Sequence, residues 1–231
     1  LQWEYVANIL YALVLRFLPK AALIALTAMA AMGTIDITFN LDMLGLLEGR
    51  FGAPHSVNGG WNLSSHELYV GAVRLMYPFL MGLLLSRLKA TLKVRGAFAL
   101  CSVLVAVMML WPVMEGTLNG IYEAACILLL IPAIVAIGAG STVSGKRTKS
   151  LCKFLGEISY PLYITHLPLI YMQLAWMSNN PDATTGEAIM VAVAVFVLSI
   201  GLAYASLKLY DLPVREWLTE HWLKGKKTKN R

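Results

Sequence analysis

The chain has 231 residues, of which 58% are hydrophobic and only 14% are charged, and its mean hydropathy is +0.65. A soluble domain of this size carries about a quarter charged residues, so the composition argues against a soluble protein and makes lipid the expected surroundings of most of the chain. The net charge of +6 comes without a surface module that mixes basic and aromatic residues, which argues against a nucleic-acid-binding protein.

Seven apolar segments approach the roughly 20 residues that cross a bilayer as a helix. In chain order they are residues 3–18, 21–38, 69–88, 97–113, 121–140, 157–177 and 188–209. A helix satisfies its backbone hydrogen bonds within itself, which suits a hydrocarbon environment. The predicted fold class is therefore all-α, a polytopic transmembrane helical bundle of about seven spans that occupies residues 1–209.

The distribution of cations predicts the orientation of this bundle. If the seven helices alternate in direction, seventeen of the nineteen Lys and Arg residues fall on one side, and only Arg50 and Arg74 fall elsewhere. Cytoplasmic loops of membrane proteins carry an excess of Lys and Arg, so this side is predicted to be cytoplasmic. We expect a multi-pass protein of the plasma (inner) membrane, with its C-terminus in the cytoplasm and the lipid bilayer as a partner.

The first span begins almost at the start of the sequence. Leu1 is not a methionine, and no charged region or cleavage site precedes the apolar run. We therefore expect the sequence to be a piece of a longer protein, with further helices upstream. Glu4 then lies inside the bundle if helix precedes it, or at a solvated terminus if the chain begins here.

The largest predicted aqueous segment is the outer loop at residues 39–68. Its passage "HSVNGGWNLSSHEL" leads into the third span, where Ser64 or Ser65 is predicted to cap the helix, with Glu67 in the first turn. Arg74 lies about five residues inside this span. An ionisable side chain within a span is costly and often functional, but an arginine that extends its charge back toward water is an equally good interpretation.

The sixth span contains an ionisable ring between two helix breakers, in the stretch "LGEISYPLYITHLPLIY". Tyr160, Tyr163 and His166 are spaced so that they share one broad helical face. Pro161 and Pro168 lack the N–H that continues the helical ladder, so they predict a break that frees backbone carbonyls around this face. The stretch is interpreted as the wall of a polar cavity, although a histidine simply hydrogen-bonded between helices is the alternative.

The tail, residues 210–231, is predicted to be a cytoplasmic interfacial helix followed by a basic tail. Its helical pattern places Val214, Trp217, Leu218 and Trp222 on one face, and "KGKKTKNR" follows. Such a helix suits the anionic cytoplasmic leaflet. The three cysteines are scattered without a CxxC pair, so no metal site is expected.

Four ordered stretches resemble the acyltransferase-3 family of integral-membrane O-acyltransferases. "LQWEYVANILYALV" is similar to the family's "SLxxE…FYLL" segment, and "GGWN…GAVRLMYPFLMGLLLSRL" is similar to its outer-loop GGW and the following "R…F..G.LL.RL" helix. "LGEISYPLYITHLPLI" resembles the family's "LGxISYxLYLxHxP" helix, and "YDLPVREWL" resembles its closing "YExPxRxxL". The resemblance covers nearly the whole chain.

The resemblance implies about ten spans, of which this chain holds the last seven, and an acyltransferase of groups other than aminoacyl groups. Members move an acyl group, often acetyl, from cytoplasmic acyl-CoA to hydroxyls of sugars or other envelope acceptors. Acyl-CoA (acetyl-CoA) is thus the implied co-substrate, with a glycan or other hydroxyl acceptor as partner. The family's catalytic histidine and an arginine pair associated with the donor lie in an early helix that this sequence does not contain.

Matching positions assign supporting roles to residues of this chain. Glu4 and His166 become supporting catalytic candidates, and Arg74, Tyr160 and Tyr163 become substrate-binding candidates. Two other functions stay open at this stage. One is a transporter or flippase fragment, since discontinuous helices with polar groups at the midplane also build transport sites. The other is a truncated remnant without catalytic activity.

Overall fold

The computed structural model describes residues 2–48, 54–112 and 114–224, which form seven helices and no strand within those ranges. The predicted all-helical fold class is thus confirmed. The chain divides into two compact units, unit 1 at Leu1–Val143 and unit 2 at Ser144–Arg231. Arg50 and the basic residues 225–231, on which part of the predicted charge map rests, lie outside the described residues.

Unit 1 contains five helices. They are α1 (Gln2–Leu13), α2 (Lys20–Phe39), α3 (Ser65–Leu88), α4 (Ala97–Leu110) and α5 (Gly116–Gly140). Asn40 and Lys89, which follow α2 and α3, are left-handed, with φ of 53° and 52°. Their N–H groups and those of the next residues donate back to carbonyls near the helix ends, which terminates both helices.

The core of unit 1 forms where α2 packs against α3 and α5. Gly120 of α5 lies so close to the carbonyl group of Thr38 that a Cβ at this position would clash, and a Cβ on Gly33 would meet a methyl group of Val73 at 3.0 Å. Small residues therefore allow these helices to approach closely. The buried apolar side chains form two clusters, Ile37, Leu47, Val70 and Val73 in one and Leu15, Leu23 and Leu80 in the other.

The two ends of unit 1 differ in chemistry. We call the end that carries residues 54–64 the loop end, and the end that carries residues 89–96 the basic end. At the basic end, the N–H of Leu92 donates to the carbonyl of Ala136 at 3.0 Å, and Ser141 Oγ accepts from Val94 N–H at 2.9 Å. These bonds fix the connection between α3 and α4 against the end of α5.

In the middle of unit 1, a buried tyrosine hydroxyl bonds a backbone carbonyl that a proline leaves without a donor. Pro132 of α5 has no N–H to give to the carbonyl of Leu128, and a π-helical turn, Cys126–Leu130, lies here. The hydroxyl of Tyr77, whose side chain is 3% exposed, donates to that carbonyl at 2.9 Å. A side chain of α3 thus satisfies a backbone group that the helix itself cannot.

Unit 2 consists of two long helices, α6 (Lys146–Asn179) and α7 (Thr185–Trp222). The hydroxyl of Thr184 accepts from the N–H of Glu187, whose carboxylate accepts from the Thr184 N–H in return, so this pair begins α7 with a capping box. A π-helical turn at Leu207–Asp211 lies within α7. The predicted boundary at residue 210 falls inside this continuous helix, and the interfacial position of the segment beyond it stays a prediction.

Four of the seven helices in the described ranges are long and apolar enough to cross a membrane, namely α2, α3, α5 and α7. The chain is thus a helical membrane protein, as predicted. The three other predicted spans differ from expectation. With 12 and 14 residues, α1 and α4 are shorter than a full span of about 20. At 34 residues α6 is longer than predicted, because the basic segment before residue 157 is helical rather than a loop.

Candidate functional site

A buried carboxylate, Glu67, holds the loop end of unit 1. Glu67 lies in the first turn of α3 and is 5% exposed. Its Oε2 accepts hydrogen bonds from the N–H groups of Gly60 at 2.6 Å and Trp61 at 2.8 Å. Gly60 has a φ of 89°, and a Cβ there would meet the Cα of Gly71 at 2.7 Å. The segment Gly59–Trp61 therefore takes its position directly from α3.

Ser64 at the N-cap and Glu67 in the first turn of α3 are confirmed, but the side-chain bond expected of the cap is not made. The hydroxyl of Ser64 donates instead to Oδ1 of Asn62 at 2.7 Å and lies 3.1 Å from Nε2 of His66. The hydroxyl is thus oriented toward the neighbouring amide and not toward the N–H of Glu67, the N3 group that a capping box would use.

A second carboxylate, Glu123 of α5, holds the other side of the same loop. It accepts hydrogen bonds from the Ser56 hydroxyl at 2.8 Å and the Val57 N–H at 2.7 Å. Asn119, one turn earlier, donates to Glu123 Oε1 and to the carbonyl of His55, both at 2.9 Å. These contacts give Glu123 a structural role, which is to hold the loop from residue 55 to residue 57.

Arg74 extends from α3 toward the loop end. It lies nine residues after Ser65, deeper in the helix than predicted, because α3 begins four residues before the predicted span. Its guanidinium group donates to the carbonyl of Gly59, and its Cζ lies 5.3 Å from the centre of the Trp61 ring. A cavity of about 170 Å³ lies beside it, lined in part by Val57. Arg74 thus reaches back as a snorkelling arginine does, and it meets a specific aromatic partner there.

Glu4 lies in the first turn of α1, close to the same end of unit 1. Its neighbour Trp3 packs its indole ring against Gly71 of α3, leaving no space for a Cβ. Since Gly71 also contacts Gly60, the start of α1 and the loop share one glycine surface on α3. The structure thus brings the Glu4 region and the Arg74 partner loop to the same end of the unit, whereas the catalytic role of Glu4 stays a prediction.

Asp36 is a buried carboxylate that the sequence interpretation did not single out. It is 1% exposed, and it accepts the Tyr69 hydroxyl at 2.8 Å and the Met43 N–H at 2.9 Å. These two residues border, with Asp36, an apolar groove of about 410 Å³ between α2 and α3. The available signal was the lone charge in the run "GTIDITF", which is costly in a span unless it is paired.

In unit 2, His166 presents one ring nitrogen to its own helix. Its Nδ1 lies 2.9 Å from the carbonyl oxygen of Leu162. Because a carbonyl only accepts, Nδ1 carries the proton, and Nε2 of the neutral ring is the acceptor. The ring borders a pocket of about 290 Å³ between α6 and α7, which Gln173 and Ser199 also line. A basic nitrogen beside a small, largely apolar pocket is chemically able to take a proton from a bound hydroxyl.

The tyrosines of α6 differ in how closely they approach His166. The Tyr163 ring lies 6.2 Å from the His166 ring, centre to centre, so these two predicted residues are neighbours. Tyr160 is 57% exposed. The predicted break at Pro161 and Pro168 is wrong, because α6 continues through both prolines. The Thr165 hydroxyl adds a bond to the Pro161 carbonyl at 2.8 Å.

The five predicted site residues therefore fall into two groups. Glu4 and Arg74 belong to unit 1, and Tyr160, Tyr163 and His166 lie along one stretch of α6 in unit 2. Among the described residues, no group of three or more His, Cys, Asp or Glu side chains is arranged to hold a metal ion.

Comparison with known proteins gives one family. The model of the Acyl_transf_3 family, described as "Acyltransferase domain", matches residues 4–208. The match includes both residue groups of the candidate site. Neither the comparison with curated proteins nor the comparison with solved structures found a match.

Proposed function

The chain belongs to the acyltransferase-3 family, and on this premise we propose that it transfers an acyl group, acetyl in the first instance, from acyl-CoA to a hydroxyl of an envelope glycan or a related acceptor. The single observation that carries the proposal is the family match over residues 4–208, which covers all seven helices in whole or in part. A membrane acyltransferase also agrees with the four helices able to span a bilayer.

The proposed reaction joins the acceptor oxygen to the acyl carbon. The hydroxyl oxygen attacks the thioester carbonyl, a C–O bond forms, the C–S bond breaks, and coenzyme A leaves as the thiol with the proton that the hydroxyl loses. A positioned base accelerates such an attack by about 10²–10⁴-fold. Hydrogen-bond donors that face the developing oxyanion supply a further large factor.

His166 is proposed as a supporting group for this proton transfer. Its Nδ1–H is directed to the Leu162 carbonyl, which selects the tautomer with a basic Nε2. The pocket of about 290 Å³ beside it is large enough for an acetyl group and a hydroxyl. Arg74 and the two tyrosines are proposed to bind substrate, and Glu4 is proposed to support catalysis.

The donor is proposed to approach from the basic end of unit 1. Lys89, Lys93 and Arg95 are exposed there, on a connection that is fixed to α5 by hydrogen bonds. Their charges suit the phosphates of coenzyme A, and the positive-inside rule predicts that this end lies in the cytoplasm. The acceptor is proposed to approach from the opposite, loop end.

Transfer of radiolabel from acetyl-CoA to endogenous glycan, in membranes that contain the complete protein, tests the proposal. We expect His166→Ala to lower transfer by roughly 10²–10⁴-fold. The matched control is His221→Ala, because His221 also places Nδ1 2.9 Å from a carbonyl four residues back. Normal transfer in Glu4→Ala, Arg74→Ala and His166→Ala would remove these site assignments. Uptake of the acceptor into proteoliposomes without any acyl donor would favour a transporter instead.

A further inference from the structure

We propose that Trp61 and Arg74 form a platform that binds a sugar ring of the acceptor at the loop end of unit 1. The inference rests on the proposed function for the class of acceptor, a glycan, and it assigns a place where that acceptor is held. The observation behind it is that the backbone of Trp61 is anchored by hydrogen bonds while its large side chain is exposed.

The backbone that leads into Trp61 is fixed by three hydrogen bonds. Its own N–H and that of Gly60 donate to the buried carboxylate of Glu67, and the carbonyl of Gly59 accepts from Arg74. The indole side chain is nevertheless 76% exposed. A rigid, exposed aromatic ring is well suited to stack on the apolar face of a pyranose, because little conformational entropy is lost when the sugar binds.

Arg74 adds polar groups beside the ring. Its guanidinium carbon lies 5.3 Å from the centre of the Trp61 ring. A guanidinium has five N–H donors in a planar fork, and the Gly59 carbonyl does not use all of them. The remaining donors are placed to meet hydroxyl or carboxylate oxygens at the edge of a sugar stacked on the indole. The pair thus offers an apolar face and directional donors, the two features by which proteins recognise pyranose rings.

A second tryptophan shows what a plain interfacial aromatic looks like in this molecule. Trp111, which follows α4, is 48% exposed and stacks on the ring of Tyr122, with centroids 5.9 Å apart and planes at 14°. Its partner is another aromatic ring, as suits a residue that anchors a helix end at the membrane surface. Trp61 has a cation as its partner and more of its ring uncovered. Trp111 is therefore the matched control.

Binding is measured without any acyl donor, by saturation-transfer NMR on the complete protein in lipid nanodiscs. The probes are chitotetraose, maltotetraose and tetragalacturonate, which offer acetamido, neutral hydroxyl-only and anionic pyranoses in that order. We expect at least one probe to bind the wild type, and Trp61→Ala to weaken that binding by roughly 10- to 100-fold. Trp61→Tyr should retain part of it, and Trp111→Ala should bind as the wild type does. Since the indole is exposed, Trp61→Ala should unfold at the temperature of the wild type.

Two results overturn the platform. One is that no probe binds the wild type, and the other is that Trp61→Ala and wild type bind equally. Failure of the proposed function is a separate outcome. If radiolabel never reaches a glycan but the sugar still binds at Trp61, the function is wrong and the platform stands. If transfer to a glycan proceeds in Trp61→Ala with an unchanged KM for the acceptor, the function stands and the platform is wrong.

Discussion

Several polar side chains of unit 1 connect distant parts of the chain, whereas Thr165 and His166 of unit 2 bond within their own helix. In unit 1, Glu123 accepts from a serine 67 residues away, and Arg87 donates to the carbonyl of Leu15, 72 residues away. In unit 2, Thr165 and His166 each contact a carbonyl four residues earlier in α6. The two units therefore use similar groups for different purposes.

The difference follows from the connections between the helices. A loop has backbone N–H groups that no helix satisfies, and these groups need partners when water is scarce. In the long connection before α3, the carboxylates of Glu67 and Glu123 are these partners, because they accept hydrogen bonds from the backbone N–H groups. The connection at residues 180–184 is short, and Thr184 and Glu187 cap the next helix locally. In the described part of unit 2, Thr165 and His166 thus bond to carbonyls of α6, and the other edge of the His166 ring is the one proposed to meet substrate.

The comparison predicts the largest loss of stability at Glu67. Glu67→Ala leaves two N–H groups near the loop end without their carboxylate, and hydrogen bonds to a charged group are among the stronger ones. We expect a loss of about 3 kcal/mol in the free energy of unfolding, measured by denaturant titration in micelles. Glu67→Gln, which keeps one acceptor oxygen, should recover part of it.

Glu187→Ala is the control for this prediction. It removes a carboxylate that also bonds backbone N–H, but only within the first turn of α7. A smaller loss than in Glu67→Ala is expected. Equal losses in the two variants would contradict the comparison.

A smaller loss is expected at the basic end, at Arg87. Its guanidinium donates to the carbonyls of Leu15 and Leu18, which follow α1 and precede α2. Arg87→Ala should lower the free energy of unfolding by about 2 kcal/mol. Arg87→Lys should recover less than half, because an ammonium group cannot present two donors in a fixed fork.

The exposed Arg95 at the same end tests whether charge alone explains the effect of Arg87. If both arginines act only by marking the cytoplasmic side, Arg95→Ala and Arg87→Ala should destabilise alike, and Arg87→Lys should be harmless. Thermal unfolding of the three variants in the same detergent separates these outcomes.

The helices could be predicted from the sequence because each depends on a local property. Apolar length places α2, α3, α5 and α7, and a capping pair such as Thr184 and Glu187 is visible within four residues. The errors in predicting the helices arise where tertiary packing overrides a local sequence preference. Proline predicted a break in α6, yet helices packed in a membrane bundle tolerate the missing N–H of a proline, and α6 continues through Pro161 and Pro168.

The candidate site was only partly predictable. Arg74 and His166 stand out because an ionisable residue in an apolar run is rare, and the same argument applies to Asp36. The partners of these residues do not follow from any short-range pattern. The contact of Arg74 with Gly59 and Trp61 depends on a loop whose shape is set by Glu67. Pairs of this kind belong to the tertiary structure, and one sequence carries no sign of them.

The smallest effect on stability is expected at Ser199, a buried residue of unit 2. Its hydroxyl donates to the carbonyl of Val195 at 2.7 Å, a carbonyl that its helix already uses. Ser199→Ala should change the free energy of unfolding by less than about 0.5 kcal/mol. Thr27→Val in unit 1 is the matched control, because Thr27 makes the same local bond to Leu23 at 2.7 Å. If the sequence separation between the bonded residues decides how much a hydrogen bond stabilises the fold, both variants should stay near wild type in a denaturant titration. A loss at Ser199 as large as that at Glu67 would show that local bonds also stabilise unit 2.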